Sequence, residues 1–560
     1  VSNKTDHIIF LLGLILCLIA INEPSIGWVP LDYEFGLLQA VPLLFWGGIA
    51  LMMINILLVF RNERYSLFVL KLFILFILLH NIPLFFTGNI YQPDALMSVQ
   101  HSVSYIDSSA MMNYPIDSTF FGSRYEAYAD WPLFFTGGAA MNALLGTETF
   151  TFAIYFPIIA SSLMFLSVVC LFKLCLEGKW LKFALLLYVP LNVWLEFNYV
   201  PKALATPMFL LAFFCLSQKG NAWSLLTIII MAYLVATHPI TSLVMMLCLV
   251  SLVFLAMIFR RLNPNARLQS GAGINTVILF AVMFLSWMFL QASTTAGPLV
   301  VAFGEAIANL KSFFLGIFDR FEFQTSLPWH LGPQIRFFVA MSFSLLSLLS
   351  MAILVLKKRE PEKLLFPAAI FTGSLLLLVL DFIVYAGFMS ARYMLMMAIT
   401  APIFVALLLK NTGWHHRLVQ VLCCLAIMVA ALNYSVAYYR SDVNIVSDTA
   451  LATADYVSAE FTDQIIVGPS SLGMLHLPVF YHTRVTGLSA NDTIVRTRAL
   501  DESVSYVIIL DRYSELYHVT EPYTHPEYYQ YLEEKAAGLN KIYNNGSYEV
   551  YHTYYLKGQR

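Results

Sequence analysis

Between residues 7 and 437 the chain returns repeatedly to apolar runs long enough to cross a bilayer, more than a water-soluble fold could bury. A spanning helix takes roughly 17–25 mostly apolar residues. Runs of this kind, some of them shorter, lie near residues 7–22, 36–60, 66–87, 149–175, 180–197, 203–218, 222–237, 241–259, 274–292, 335–356, 364–386, 391–409 and 416–437. They predict a polytopic α-helical membrane protein with about thirteen transmembrane helices. Composition agrees: 59% of residues are hydrophobic and 12% charged, where soluble domains carry about 25% charged. The first run lacks a cleavage-site pattern and leads into a second, so it reads as a retained helix rather than a signal peptide.

The basic loops orient these helices. With the N-terminus inside, Arg61 and Arg64, Lys179 and Lys182, Lys219, Arg260, Arg261 and Arg267, Lys357, Lys358, Arg359 and Lys363, and Lys410 and Arg417 all fall on the cytoplasmic side. The C-terminus is then extracytoplasmic, and so are the long segments 88–148 and 294–334. The expected organisation is a transmembrane domain over 1–439 carrying those two outer loops, then a C-terminal extracytoplasmic domain over 440–560.

The tail reads as a small α/β domain. Residues 464–468 (QIIVG), 505–510 (SYVIIL) and 541–552 (KIYNNGSYEVYH) predict strands, and Asn545-Gly546 predicts a hairpin turn. A helical stretch is expected near 449–460. Asn491-Asp492-Thr493 and Asn545-Gly546-Ser547 match the glycosylation sequon, a short pattern that also arises by chance. No repeat suggests an inverted-repeat transporter. A net charge of -2 gives no reason to expect a nucleic-acid partner. All seven cysteines lie in apolar runs, so neither a disulfide framework nor a metal-ligand spacing is expected.

Chemistry-bearing residues cluster at the expected outer ends. In YQPDALMSVQH, Asp94 opens an amphipathic segment and His101 follows seven residues later, on the same helical face. An acid there also serves as a helix cap. The loop continues with Asp117, Arg124, Glu126 and Asp130, the last beside WPLFF, and such a loop is also an ordinary solvated surface. Lys202 opens a helix in VPKALATP, where it either snorkels to the interface or contacts a lipid phosphate. His238 stands at the next outer turn, a position that is often structural. Asp381 lies inside an apolar run, where ionisable groups are costly and are usually paired or functional. Arg392 opens the following helix and either pairs with Asp381 or holds a phosphate in a bidentate grip. The second outer loop adds Glu305, Asp319, Arg320, Glu322, His330 and Arg336, and residues 299–318 also read as an interfacial helix. The pair Asp32 and Glu34 is weak evidence for a divalent ion.

Taken together, the early acid Asp94, the aromatic-Pro segment YADWPLFF, the helix opening VPKALATP, the helix opening SARYM and the KIYNNGSYEVY ending resemble the GT-C superfamily of membrane glycosyltransferases, in its archaeal and bacterial form. The likeness is one of pattern and spans most of the chain. It implies transfer of a sugar from a polyprenyl-phosphate donor to a lipid-linked glycan or surface-protein acceptor, with inversion, at the outer face. It further implies Asp94 as the catalytic carboxylate with Asp130 in reserve, Lys202 and Arg392 on the departing phosphate, and His101, Arg124 and His238 as further substrate contacts. The Trp-Trp-Asp-Tyr-Gly signature of oligosaccharyltransferases is absent, and a single acid stands where relatives carry a tandem pair. The first departure speaks against transfer of a whole oligosaccharide to asparagine, and the second favours a monosaccharide donor on polyprenyl phosphate and no cofactor, with a divalent metal unsupported. The competing classes are a transporter or flippase of lipid-linked intermediates, which should show paired repeats, and a non-catalytic cell-surface assembly protein, which should tolerate loss of the outer acids.

Overall fold

The computed structural model describes residues 4–23, 26, 37–90, 95–96, 98–99, 101–103, 130–190, 197–262, 273–292, 331–356, 360–385, 390–412 and 434, and in the tail 452–453, 456–457, 460, 465–467, 506–511, 536–544 and 548–552. They fall into two compact units, one of residues 1–86 and 155–440 and one of residues 87–154 and 441–560.

Among the described residues the helices of more than ten residues are α1 Lys4–Ile21, α2 Leu43–Val59, α3 Tyr65–His80, α4 Leu133–Leu145, α5 Thr149–Cys175, α6 Gly178–Tyr188, α7 Pro201–Ser217, α8 Asn221–Thr237, α9 Pro239–Leu262, α10 Ile274–Leu290, α11 Leu331–Leu356, α12 Pro361–Tyr385 and α13 Ser390–Thr412. Each apolar run read from the sequence, up to 391–409, overlaps one of them. The run at 416–437 lies outside the described residues apart from the helical Tyr434. Among the described residues, four helical stretches are long and apolar enough to cross a membrane: Thr149–Cys175, Pro239–Leu262, Pro361–Asp381 and Tyr393–Asn411. The other apolar stretches, such as Met341–Leu356 of α11, are shorter. Helix α4 was not foreseen, because its sequence LFFTGGAAMNALL is interrupted by small and polar residues inside a segment read as loop.

Burial in the first unit follows the helical period. On α1, Phe10, Cys17 and Ala20 are buried, whereas Ile8, Leu11, Leu12, Ile15, Leu18 and Ile19 stay exposed. An apolar stripe left open on one helix face is a surface for lipid tails, and the molecule is an integral membrane protein. Helices α1 and α2 run antiparallel, with Gly13 facing Gly48 and the Cys17 thiol 3.6 Å from the Phe45 carbonyl. A Cβ on Gly13 would lie 2.7 Å from the Gly48 carbonyl oxygen, so two glycines set how closely these backbones approach. Helices α9 and α12 are equally close, since a Cβ on Gly373 would lie 2.6 Å from the Cys248 nitrogen. Helix α13 is central: 94% of its apolar window is buried against 50% for α9. Its Ala401, Val405, Leu408 and Leu409 form a core with Leu187 of α6 and Val339, Phe343 and Leu346 of α11.

One end of this bundle gathers the basic loops. The Lys182 ammonium donates to the carbonyls of Phe60 (3.1 Å) and Glu63 (2.7 Å), where α2 ends and a cation is favoured. Lys71 meets the fully buried Glu63 carboxylate at 2.7 Å and donates to Asn55 at 2.8 Å. Lys363 reaches Glu177 at 3.2 Å, and Lys410 pairs with Glu360 at 2.5 Å. Loops that the charge pattern assigned to one side are thus joined at one end.

In the second unit, the tail holds a four-stranded sheet in the order β1-β2-β4-β3, with β1 Ile465–Val467, β2 Tyr506–Asp511, β3 Asn540–Asn544 and β4 Tyr548–His552. Strands β1 and β2 are parallel, and β2/β4 and β3/β4 are antiparallel. All three expected strand segments are present. The 545–547 turn and both sequons lie outside the described residues. Within 449–460 the described residues are helical. Lys541 bridges to Glu549 at 2.6 Å across β3 and β4, and this hydrogen bond holds its ammonium above the usual lysine range.

Candidate functional site

The end of the first unit opposite the Glu63 cluster is built from polar and aromatic residues. At the end of α3, the buried His80 donates from Nε2 to the Val189 carbonyl at 2.8 Å. Its ring lies on Phe76 (centroids 4.2 Å) and edge-on to Phe197 (5.8 Å). Asn81 donates to the Ser161 hydroxyl of α5 at 3.0 Å. Tyr199 packs edge-on to Phe156 of α5 at 5.1 Å. These contacts anchor the 197–200 segment, which turns directly into α7.

Val200 is extended, Pro201 occupies the first turn of α7 with its preset φ, and Lys202 follows, half-buried. That turn contains no acid. A helix N-terminus carries partial positive charge, which in general favours an anion.

Helices α7 and α8 are joined by a turn through Gly220 (φ +112°) and packed together, with Phe214 edge-on to Trp223 beside that turn. The end of α8 therefore returns toward the start of α7. There His238 begins α9: its Nδ1 accepts from the Thr241 backbone N–H at 3.2 Å and lies 2.8 Å from the Thr241 hydroxyl. The ring acts as a cap for the first turn of α9, and in the neutral ring this arrangement puts the proton on Nε2.

Helix α12 runs opposite to α7. Phe366, near its start, is edge-on to Phe213, near the end of α7. Helix α13 returns antiparallel to α12, as Phe371 against Phe404 and Glu360 against Lys410 show. The buried Asp381, near the end of α12, and the start of α13, which contains Arg392, thus lie toward the Lys202 end. The Arg392 side chain is outside the described residues, so the anticipated Asp381–Arg392 pair is too.

In the second unit, His101 and Asp130 are both buried, at 3% and 5% exposure. The His101 ring packs on Phe135 of α4, with centroids 5.0 Å apart. Burial pushes its imidazole down to about 4, so at neutral pH it offers neutral hydrogen-bonding nitrogens and no positive charge. Asp130 and Trp131 lead into α4 through Pro132, and Gly146 (φ +62°) ends the helix in the left-handed conformation. Asn142 donates to Thr149 at 2.9 Å and fixes the exit of α4. The Trp131 Nε1 is buried and has no hydrogen-bond partner among the described residues. An unsatisfied buried donor of this kind costs about 1–3 kcal/mol.

The structure therefore places Lys202, His238 and the helix start at Arg392 toward one end of the first unit, and His101 with Asp130 in the buried part of the second. Asp94, Asp117, Arg124 and Glu126 lie outside the described residues, as do Asp32, Glu34, Glu305, Asp319, Arg320, Glu322 and His330 and the side chain of Arg336. Sequence reading passed over His80, Asn81 and Trp131. A His-Asn pair closing an apolar run and a Trp between an acid and a proline were the available signals.

No family model and no curated protein matches the chain. Solved structures similar to it include two of one protein. One is ArnT from Cupriavidus metallidurans in the apo state, at 10% identity over 83% of this chain and 94% of that one, with a TM-score of 0.45. The other is the same protein bound to undecaprenyl phosphate, at 10% identity over 90% of this chain and 98% of that one, with a TM-score of 0.41. Likeness at this level carries nothing about what the present chain binds.

Proposed function

We propose that this protein is an inverting membrane glycosyltransferase that moves a sugar from a polyprenyl-phosphate carrier to a lipid-linked glycan or surface-protein acceptor. The observation that carries the reading is the start of α7, where Lys202 reinforces the positive end of a helix that has no acid in its first turn. This is a place for a phosphate. The start of α13 lies toward the same end and carries Arg392, whose guanidinium suits a second contact to that phosphate. The sequence resemblance supplies the rest.

In the proposed reaction the Asp94 carboxylate takes the proton of the acceptor hydroxyl as that oxygen attacks the anomeric carbon. The bond from that carbon to the phosphate oxygen breaks, and the charge arriving on the lipid phosphate is met by Lys202 and Arg392. His101 and His238, with Arg124, position the sugar and its carrier, His101 as a neutral imidazole.

The test is transfer of radiolabelled sugar from polyprenyl-phosphate donors to membrane acceptors by the protein in proteoliposomes. Wild type transfers, and Asp94→Asn, which keeps shape and removes basicity, loses about a hundred- to ten-thousandfold in turnover. Near-normal transfer by Asp94→Asn with loss in Asp130→Asn moves the base to Asp130. No transfer by wild type from any such donor, or none lost in either variant, overturns the reading.

A further inference from the structure

The cations at the Glu63 end of the first unit divide into two groups. Lys71, Lys182, Lys363 and Lys410 are buried or half-buried, and each holds a protein oxygen. Arg61, Arg64, Lys173 and Lys179 are exposed, and none has an acid partner among the described residues. Two contacts gather these exposed cations around the turn 60–65. The Lys182 ammonium donates to the Phe60 and Glu63 carbonyls, which draws the start of α6 onto that turn, with Lys179 one helical turn before Lys182. The Lys173 ammonium, in the last turn of α5, lies 5.2 Å from the centre of the Tyr65 ring, beside Arg64. The acids nearby are already committed: Glu63 is buried against Lys71, and Glu177 is held by Lys363.

The surface beside these charges is apolar. Ile54, Leu57 and Leu58 stay exposed in the last part of α2, just before Arg61, and Leu70 does so on α3. Two of the cations lie over amphipathic rings, Lys173 over Tyr65 and Lys179 over Trp180 at 4.8 Å. Tyr, Trp and basic side chains at the end of an apolar face suit the headgroup level of a bilayer. Cations without acids ask for an anion, and the leucines next to them ask for hydrocarbon. A free phosphate or an acidic peptide meets only the first demand, whereas an anionic phospholipid meets both. Setting the orientation of the helices does not explain the grouping, because acids count for little in that role and paired cations would serve it equally. A bilayer surface requires that the charges share one end of the bundle and not that they converge on a point.

We propose that Arg61, Arg64, Lys173 and Lys179 form a binding surface for anionic phospholipid in the leaflet at this end, with the lipid phosphate against the cations and the acyl chains along the exposed leucines of α2. The surface lies at the opposite end of the first unit from Lys202, and the proposal does not depend on the glycosyltransferase reading.

The experiment titrates the full chain, in a neutral detergent, with phosphatidylglycerol or with phosphatidylcholine of the same acyl chains, and counts bound lipid by native mass spectrometry. Wild type should bind the first lipid at least about tenfold more tightly than the second, since each cation near a headgroup contributes about fivefold. Arg61→Gln/Arg64→Gln should weaken phosphatidylglycerol roughly ten- to thirtyfold and leave phosphatidylcholine within about twofold. Lys173→Gln/Lys179→Gln should do the same, and it carries the test if the arginine variant does not fold. Arg260→Gln/Arg261→Gln removes as many exposed charges from the end of α9 and should lose less. Equal binding of the two lipids by wild type, or an undiminished preference in both loop variants, overturns the proposal and leaves these cations with orientation alone. A loss in the α9 variant as large as in the loop variants overturns the assignment to this surface. Displacement of phosphatidylglycerol by the same concentration of inorganic phosphate or of a polyglutamate peptide overturns it in favour of a soluble anion.

Discussion

At one end of the first unit Lys71 closes on Glu63 at 2.7 Å, Lys182 donates to two carbonyls, and Lys363 and Lys410 meet Glu177 and Glu360. At the other end Lys202 stands in the first turn of α7, a turn without an acid, in company with a capping His238 and the start of α13. The two ends use the same residue type for different purposes. These lysines of the first end stitch loops together, each with an oxygen from another segment of chain. Lys202 instead stands in the first turn of a helix whose own dipole is positive there, an end that favours an anion. On the proposed reading the paired lysines of the first end are structural and the second end binds the carrier phosphate.

The sharpest break in that comparison comes from the buried pair. Lys71→Met would leave the fully buried Glu63 carboxylate without its ammonium. Breaking such a pair typically costs about 3–5 kcal/mol, whereas removing both charges is often nearly neutral. Thermal unfolding in detergent should show a large loss for Lys71→Met and recovery of most of it in Glu63→Gln/Lys71→Met. A single variant as stable as wild type would deny that this end is held by its ion pairs.

The second test concerns His101. Its pKa is lowered to about 4 in the folded protein from an ordinary value near 6.5. Below the ordinary value the unfolded chain takes up a proton that the folded protein refuses, so this contribution to stability is present above pH 6.5 and is lost as pH falls toward 4. The loss is on the order of 3 kcal/mol. Melting curves between pH 7 and 4 should therefore fall more steeply for wild type than for His101→Asn. Equal slopes would place the imidazole in water.

The smallest effect belongs to His238. His238→Ala removes the Nδ1 acceptor for the Thr241 N–H and should cost about 1 kcal/mol, as loss of a helix cap usually does. His238→Asn, a good capping residue, should recover it. Recovery of stability with a persistent rise in the KM of the donor would show that the same ring also meets substrate.

Much of the first unit was legible because a membrane helix advertises itself by length and apolarity. The runs at 149–175 and 241–259 correspond to helices of 27 and 24 residues, the second extending past its run at both ends. The joining of the basic loops at one end was legible for a related reason, since Lys182, Lys363 and Lys410 fall in or beside short breaks between apolar runs on the side that the charge pattern assigned. Partners were not legible. Glu63 and Lys71 are eight residues apart in the chain, and nothing in LFVLKLFILF says that this lysine turns back onto the preceding loop. Helix α4 was hidden because Gly137, Gly138 and Asn142 dilute its apolar pattern. The β3/β4 hairpin was seen because Asn-Gly between alternating residues is a strong local signal, and the parallel β1/β2 pair is a long-range one that no local pattern carries. Among the site residues, Lys202 could be placed at a helix start from Pro201 alone, whereas the burial of His101 against Phe135 depends on tertiary packing.

The claim that one end binds the carrier phosphate while the paired lysines of the other only hold loops together is tested most directly by measuring polyprenyl-phosphate binding to the purified protein in nanodiscs of neutral lipid, for wild type, Lys202→Ala and Lys410→Ala. Each variant removes one positive charge, so a general loss of electrostatic attraction would weaken both alike. The account predicts that Lys202→Ala weakens binding about ten- to a hundredfold, the size of a charge-assisted phosphate contact, while Lys410→Ala binds within about twofold of wild type. Equal affinities for wild type and Lys202→Ala, or a larger loss in Lys410→Ala, would contradict it.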